Sequence, residues 1–528
     1  MNERILRWTT RLAWVVGIVL TGSAHAGPAV AAPGAATPTA AVAAPPSAPP
    51  LTWSIGGAWS AWGLDQHGFL LGRDHPLDNA DYVVQNLRLL GKVQGEHVGV
   101  VARMDLAQGW WGVDNDPDVA TGVATDDQGA AKATTVTNPY ALFRNKDTNY
   151  GAHVDWAWLW FDAPFSLPMR FAAGRQPFVV GNRLVLDQTY DGVRVDSNVL
   201  AGGVSFSAFW AKVHEGGGSM RNPVGLLMND DDGRADGDLL GVSLRWQSDA
   251  KATHKAELFG LRYHDGQKDD AFLPGGLVYM HSRFQAQLSE ANVFGLQAQG
   301  SLAVAAGLEY NVEANVLMGK DNVDNADFAG NLIDKNNGEL FGYNLYARLN
   351  QKLDVGLPLN VQLTLGMGSG DDDPRSGKGN INRIQTMGYF PLTNVWEDSV
   401  MPDVEGISPQ GLGSPVSRGY RELENTTVAM LTFGANLHRT FRVEAAYAFL
   451  RATQPIYGWD AKGPTDVTSQ DIGQEVDLNL KWQLAPGLSL VGLYGVFLPG
   501  DGAALLINGN LDHKAMAWEA KHVLMWAF

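Results

Sequence analysis

Glu475-Val476-Asp477-Leu478-Asn479-Leu480-Lys481-Trp482-Gln483-Leu484 alternates without a break between polar and apolar residues. In an extended chain, successive side chains point to opposite faces. Val476, Leu478, Leu480, Trp482 and Leu484 therefore share one surface, and Glu475, Asp477, Asn479, Lys481 and Gln483 share the other. The pattern recurs. Val278, Met280, Phe284, Ala286 and Leu288 oppose Tyr279, His281, Arg283, Gln285 and Gln287, and Val98, Val100, Ala102, Met104 and Leu106 oppose His97, Arg103 and Asp105. A soluble sandwich also alternates, but its strands are usually about five or six residues long. These runs reach about ten, the length a tilted strand needs to cross a bilayer.

Loop lengths point the same way. Long polar stretches at 63–81, 109–150, 214–237, 320–338, 370–424 and 453–470 alternate with short turns at 95–96, 162–168, 248–253, 354–358, 438–440 and 485–487. Outer-membrane barrels combine long outer loops with short periplasmic turns. The expected fold is all-β: a single transmembrane antiparallel up-and-down barrel of about 18 strands over 51–528. One strand is placed at 276–288. The stretch 289–306, where Val293, Leu296, Leu302 and Ala306 do not alternate, reads as a longer periplasmic connection that could hold one helix. In the last strand, Leu524, Trp526 and Phe528 share a face. Phe528 looks like the aromatic signal read by the barrel assembly machinery.

The chain's start reads as an address. Arg4, Arg7 and Arg11 precede an apolar run from Leu12 to Gly22, which is too short to span a bilayer, and Ala24-His25-Ala26 fits a cleavage site. Residues 1–26 are thus expected to be a signal peptide, and a short membrane anchor is the other reading. Their three Arg and one Glu mean that cleavage takes the net charge from −17 to −19. Residues 27–50 contain only Gly, Pro, Ala, Val, Thr and Ser, the composition of a periplasmic spacer. The expected location is the outer membrane. The absence of cysteine excludes disulfide scaffolds and thiol chemistry, and 56 acidic against 39 basic residues argues against a nucleic-acid partner.

Side chains cannot fill a barrel this wide, so any constriction must come from loops, with 109–150, 177–190 and 370–424 as candidates. Strand phase places Arg88, Lys92, Arg103, Arg194, Arg245, Arg262, Arg283, Arg348, Lys352, Arg442, Lys481 and Lys521 in the lumen. They stand against Asp105, Asp155, Asp196, Glu309, Glu313, Glu444, Glu475, Asp477 and Glu519. The lumen is then mixed and slightly basic, and the surplus acid lies in loops. Trp156, Trp158 and Trp160 fall on one face beside Val154, opposite His153 and Asp155. That phase reads as a lipid-facing band running into an interfacial girdle. A row of sugar-stacking platforms in the lumen is the alternative.

Catalytic spacing is missing. There is no H-E-x-x-H, no G-x-S-x-G and no phosphate loop around Gly377-Lys378. The twelve His show no ligand spacing, and the acidic runs lack the EF-hand pattern. No enzyme activity, cofactor or metal site is expected, although Asp230-Asp231-Asp232 or Asp371-Asp372-Asp373 could hold calcium as well as serve as solvated loops.

Three stretches resemble the alginate-export family of outer-membrane barrels. The first is Gly174-Arg175-Gln176, then Gly181 and Arg183, then Tyr190-Asp191-Gly192-Val193-Arg194. The second is Gly370-Asp371-Asp372-Asp373-Pro374 with Tyr389-Phe390-Pro391. The third runs from Ile472-Gly473-Gln474-Glu475-Val476-Asp477-Leu478 to Leu498-Pro499-Gly500-Asp501. The resemblance implies an eighteen-stranded channel that passes an acidic exopolysaccharide received from a periplasmic export partner.

The leading expectation is therefore a passive polysaccharide-secretion channel, monomeric and surrounded by outer-membrane lipid. Arg175, Arg183 and Arg194 are its expected sugar contacts, joined by Arg103, Arg245, Arg283, Arg348 and Arg442. The runner-up is a diffusion porin for small solutes, which needs the same barrel with a loop constriction.

Overall fold

The computed structural model describes residues 51–74, 78–110, 121–125, 131–135, 150–164, 167–197, 200–214, 237–248, 253–265, 290–302, 304–320, 324–326, 332–335, 339–372, 382, 384, 386–397, 423–460 and 463–528. Eighteen strands form one sheet. They are β1 Thr52–His67, β2 Asn79–Gln94, β3 Val98–Trp110, β4 Tyr150–Asp162, β5 Met169–Val179, β6 Asp187–Ser197, β7 Val204–His214, β8 Gly237–Gln247, β9 His254–Asp265, β10 Glu290–Ser301, β11 Leu308–Lys320, β12 Glu339–Asp354, β13 Pro358–Gly368, β14 Thr426–His438, β15 Phe441–Asp460, β16 Gly463–Ala485, β17 Leu488–Pro499 and β18 Ala517–Ala527. Each pairs antiparallel with its sequence neighbours. β1 pairs with β18 from Ala58↔Ala527 to His67↔Trp518, which closes the barrel. Closure matters because a sheet edge inside a bilayer would leave a row of backbone groups without partners.

Alternation becomes an inside and an outside. On β16, Val476 is 50% exposed and Trp482 48%, whereas Glu475 is 1% and Asp477 4%. The apolar set forms the outer surface of the barrel and the carboxylates point inward. In an antiparallel pair, residues directly opposite each other share a face. The register therefore carries this assignment around the wall.

The expected count of eighteen strands holds, and the one strand placed at 276–288 is corrected. The stretch 276–288 lies outside the described residues, and the wall position belongs to β10, Glu290–Ser301, paired with β9 and β11. Its alternation is disguised because its inward face mixes Val293, Gly295 and Gln297 while Phe294 and Leu296 face out. Val293 is 5% exposed in a cluster of apolar residues inside the barrel, so apolar character marks both faces here. An Arg at Leu296 should therefore cost about 2–4 kcal/mol of barrel stability. An Arg at lumenal Gln299 should cost much less, and denaturant unfolding of the two variants in detergent checks the difference. The stretch 453–470 is a second correction. Expected as a loop, it is largely strand, because the β15–β16 hairpin continues to Asp460↔Gly463.

The third correction concerns the tryptophans. At Asp155, β4 carries a bulge: Arg103 of β3 pairs with Trp156 and Met104 with Val154, so two residues of β4 oppose one of β3. The extra residue shifts the phase. Val154 faces out, 49% exposed, and below the bulge so do Leu159 and Phe161. Trp156, Trp158 and Trp160 face inward, level with Arg103, Val101 and Gly99. Trp160 lies directly over Gly99, where a Cβ would come within 2.6 Å of the indole nitrogen.

Candidate functional site: the strapped lumen

Two connections fold into the lumen and meet there. The first is 180–186, between β5 and β6. Gly181, at φ 52°, and Arg183, at φ 72°, turn the chain back. The Gly181 N–H donates to Glu257 at 3.2 Å and the Asn182 N–H to Glu313 at 2.6 Å. The Asn182 carboxamide exchanges hydrogen bonds with Asn311 at 2.9 and 2.8 Å. Only glycine fits at 181, because a Cβ there would stand 2.6 Å from a Glu313 carboxylate oxygen.

The second connection lies between β13 and β14. Its Met387 runs parallel to Leu186; the Met387 N–H donates to Val185 at 3.0 Å, and the Asp187 N–H donates to Met387 at 2.9 Å. The Tyr389 N–H donates to Arg183 at 3.1 Å. Further on, the N–H groups of Val395 and Trp396 donate to the two carboxylate oxygens of Glu475 at 2.6 and 2.8 Å. Asn394 donates to Asn479 at 2.8 Å, and the Trp396 ring stacks on Phe497 at 4.8 Å. Joined by backbone bonds, the two segments make a strap that is fastened to β9–β11 at one end and to β16 at the other. The fasteners are wall carboxylates accepting loop amides, the stronger, charge-assisted kind of hydrogen bond.

The outer mouth is filled as well. Helix α1, Asp501–Asn508, begins with an acidic residue in its first turn and ends on Gly509 in the left-handed conformation. Gly502 to Asn508 are all buried. They pack with Phe69, Leu70 and Leu71, with Ile456, Ile472 and Phe497 of the wall, and with Val395 and Trp396 of the strap. Sequence reading missed α1. Its signal was the non-alternating Ala503-Ala504-Leu505-Leu506-Ile507 between Gly500-Asp501 and Gly509. Of the three candidate constrictions, 177–190 and 370–424 both contribute, while 111–120, 126–130 and 136–149 lie outside the described residues.

The lumen wall is a set of neutralised pairs. Pointing inward are Arg88–Asp105, Arg103–Asp155, Arg170–Asp162, Arg194–Asp196, Arg245–Glu257, Lys352–Glu309, Arg442–Glu444 and Lys521–Glu519. Arg170, Asp162 and Glu257 were absent from the sequence list. Among the described residues, Lys92, Lys255, Arg348 and Lys481 face inward without an ion pair. Two recesses open in the wall. One, of about 450 Å³, is bordered by Arg348, Lys352, Asn360 and Arg442; the other, of about 280 Å³, by Arg194, Ser207, Ser243 and Arg245.

Several expected contacts lie elsewhere. Arg175 projects from the outer face, 3.4 Å from Asp191. Its phase is reversed because Gln176, fully buried, and Gly174 take the inner positions of β5. Arg262 is also on the outer face, paired with Glu290 at 3.1 Å. Arg183 sits in the strap, 3.2 Å from Asp187. Gly192 lies on the inner face opposite Gly174. Asp371 and Asp372 follow β13, with Asn382 donating to Asp372 at 3.1 Å. Arg283 and Asp373 lie outside the described residues. Phe528 lies across the β1–β18 seam, its backbone exchanging hydrogen bonds with Gly57 at 2.9 and 3.1 Å. Asp65, His67 and Asp81 converge on the outer face closely enough for one cation, a grouping the sequence spacing did not suggest; His67 bonds Asp65 at 2.8 Å and stacks on Trp518.

No family model matches the sequence, and no curated protein matches it. Solved structures do match. Acinetobacter baumannii OccAB3 superposes with a TM-score of 0.50 at 11% identity over 90% of this chain and 99% of its own. Pseudomonas aeruginosa OccK9 (OpdG) gives 0.48 at 13%, and a BenF-like porin from Pseudomonas fluorescens Pf-5 gives 0.48 at 10%, each over 90% of this chain and 98% of its own. The first likeness establishes the fold. The neighbour that establishes the fold is OccAB3 and not an alginate-export barrel, which overturns the alginate-export resemblance and the polysaccharide passage it implied. The geometry gives the physical reason. The motif residues Gly181, Glu475 and Asp477 lie where the strap is fastened to the wall, so their place in the fold is accounted for by holding loops across the lumen.

Proposed function

We propose that the chain is an outer-membrane diffusion porin for small solutes, delivered through the signal at 1–26 and carrying no catalytic centre. The observation that carries this reading is the strap, with Glu257 and Glu313 holding one end and Glu475 the other. Backbone fastened to both walls of a barrel lumen is a permanent constriction, the element a diffusion porin needs to set a size limit. Eight inward ion pairs leave the described lumen with little net charge. The fixed field is then weak, and size and hydrogen bonding govern passage.

Reconstituted proteoliposomes test this. They are expected to swell in isosmotic glycerol or glycine and not in dextran. No swelling in either small solute, or equal swelling in dextran, would sink the reading.

A further inference from the structure

The geometry points to a binding rail for neutral sugars along the inner face of β4, an inference that rests on the small-solute reading and names its substrate class. Trp156, Trp158 and Trp160 repeat every second residue on one lumenal face, about 6.8 Å apart along the strand. The two end rings are braced: the Arg103 guanidinium lies 3.5 Å from the Trp156 ring centroid and that of Arg170 3.8 Å from the Trp160 centroid. Cation–π contact of this kind holds a ring in place. Trp160 is nearly buried on Gly99 and serves as a support, whereas Trp158 stands half-buried between the two braces. Among the described residues, the indole N–H groups of Trp156 and Trp158 have no acceptor.

The charges decide between ligands. Arg103 is paired with Asp155 and Arg170 with Asp162, and each guanidinium is matched by one carboxylate. An anion would have to displace a carboxylate that is already in place. A neutral pyranose meets no such competition. Its flat C–H face stacks on an indole, and its rim hydroxyls both donate and accept, as the planar Arg–Asp pairs require. The row descends to Asp162 and Arg170 at the short-turn mouth, so a sugar would follow it toward that mouth.

Planar-bilayer recording with maltose tests the rail. Millimolar maltose should reduce the ion current of the wild-type channel in a concentration-dependent way. Trp158→Ala should weaken that block roughly tenfold, and Trp158→Phe, which keeps an aromatic face, should restore most of it. Equal block of wild type and Trp158→Ala, or block by benzoate in preference to maltose, overturns the proposal. A wild-type channel that conducts ions yet ignores maltose overturns the sugar rail and leaves the porin reading standing. A wild-type chain that conducts nothing overturns both.

Discussion

Replacing Glu475 by Ala raises the conductance of the reconstituted channel and makes it noisy, because it releases one end of the strap. Both carboxylate oxygens of Glu475 accept a backbone N–H, from Val395 at 2.6 Å and from Trp396 at 2.8 Å, and the side chain is 1% exposed. Hydrogen bonds to a charged group contribute about 1.5–3 kcal/mol each. Losing both leaves two amides without acceptors in a buried site. A shift of that size turns a rarely released segment into a commonly released one. Glu475→Gln should fail almost as badly, since a carboxamide offers one oxygen and presents its NH₂ to the other amide. The barrel itself should survive, because β16 keeps its pairing with β15 and β17. Single-channel recording checks the conductance, and heat-modifiable gel mobility checks the barrel.

The second large effect is expected from Gly181→Val at the opposite end. The new Cβ would stand 2.6 Å from the Glu313 carboxylate, at a residue whose φ is 52°. Left-handed backbone costs a side-chain-bearing residue about 1–2 kcal/mol, and the clash adds to that. The 180–186 turn should leave the wall, and conductance should again rise. Gly356→Ala separates the two causes. Gly356 also has positive φ, 86°, but nothing lies within 4 Å of its missing Cβ, so conductance should stay as in the wild type. Because the two loops share backbone bonds at Val185, Met387 and Asp187, the Gly181→Val/Glu475→Ala double variant should exceed either single change by less than their sum. Simple additivity would show that the loops act separately and that no strap exists.

The wall was legible in the sequence wherever lipid and water sit on opposite faces, because the bilayer then enforces strict alternation, as on β16. Legibility failed where that contrast was blurred. On β10, Val293 faces an apolar cluster inside the barrel, so both faces carry apolar residues and the neighbouring 276–288 looked the better strand. On β4, one bulged residue at Asp155 reversed the phase of three tryptophans; a bulge leaves no mark in the composition. The same blindness to phase put Arg175 and Arg262 in the lumen, when their partners Asp191 and Glu290 lie outside. The strap was foreseen only as candidate loops. Its fastening depends on amides meeting carboxylates from strands far apart in sequence, such as Asn182 with Glu313, and no local spacing encodes such a meeting. Helix α1 was the one lumen filler with a local signature, an apolar run without alternation closed by Gly509.

The central claim, a strap that sets the size of the pore, is tested most directly by neutral-polymer exclusion. Conductance of the wild-type channel is measured in ethylene glycol oligomers of increasing length, and the longest oligomer that still lowers it is noted. The strap predicts a cut-off among the short oligomers for the wild type and a longer one for Glu475→Ala. A wild-type channel that admits long polymers, or a cut-off unchanged by Glu475→Ala, would contradict it.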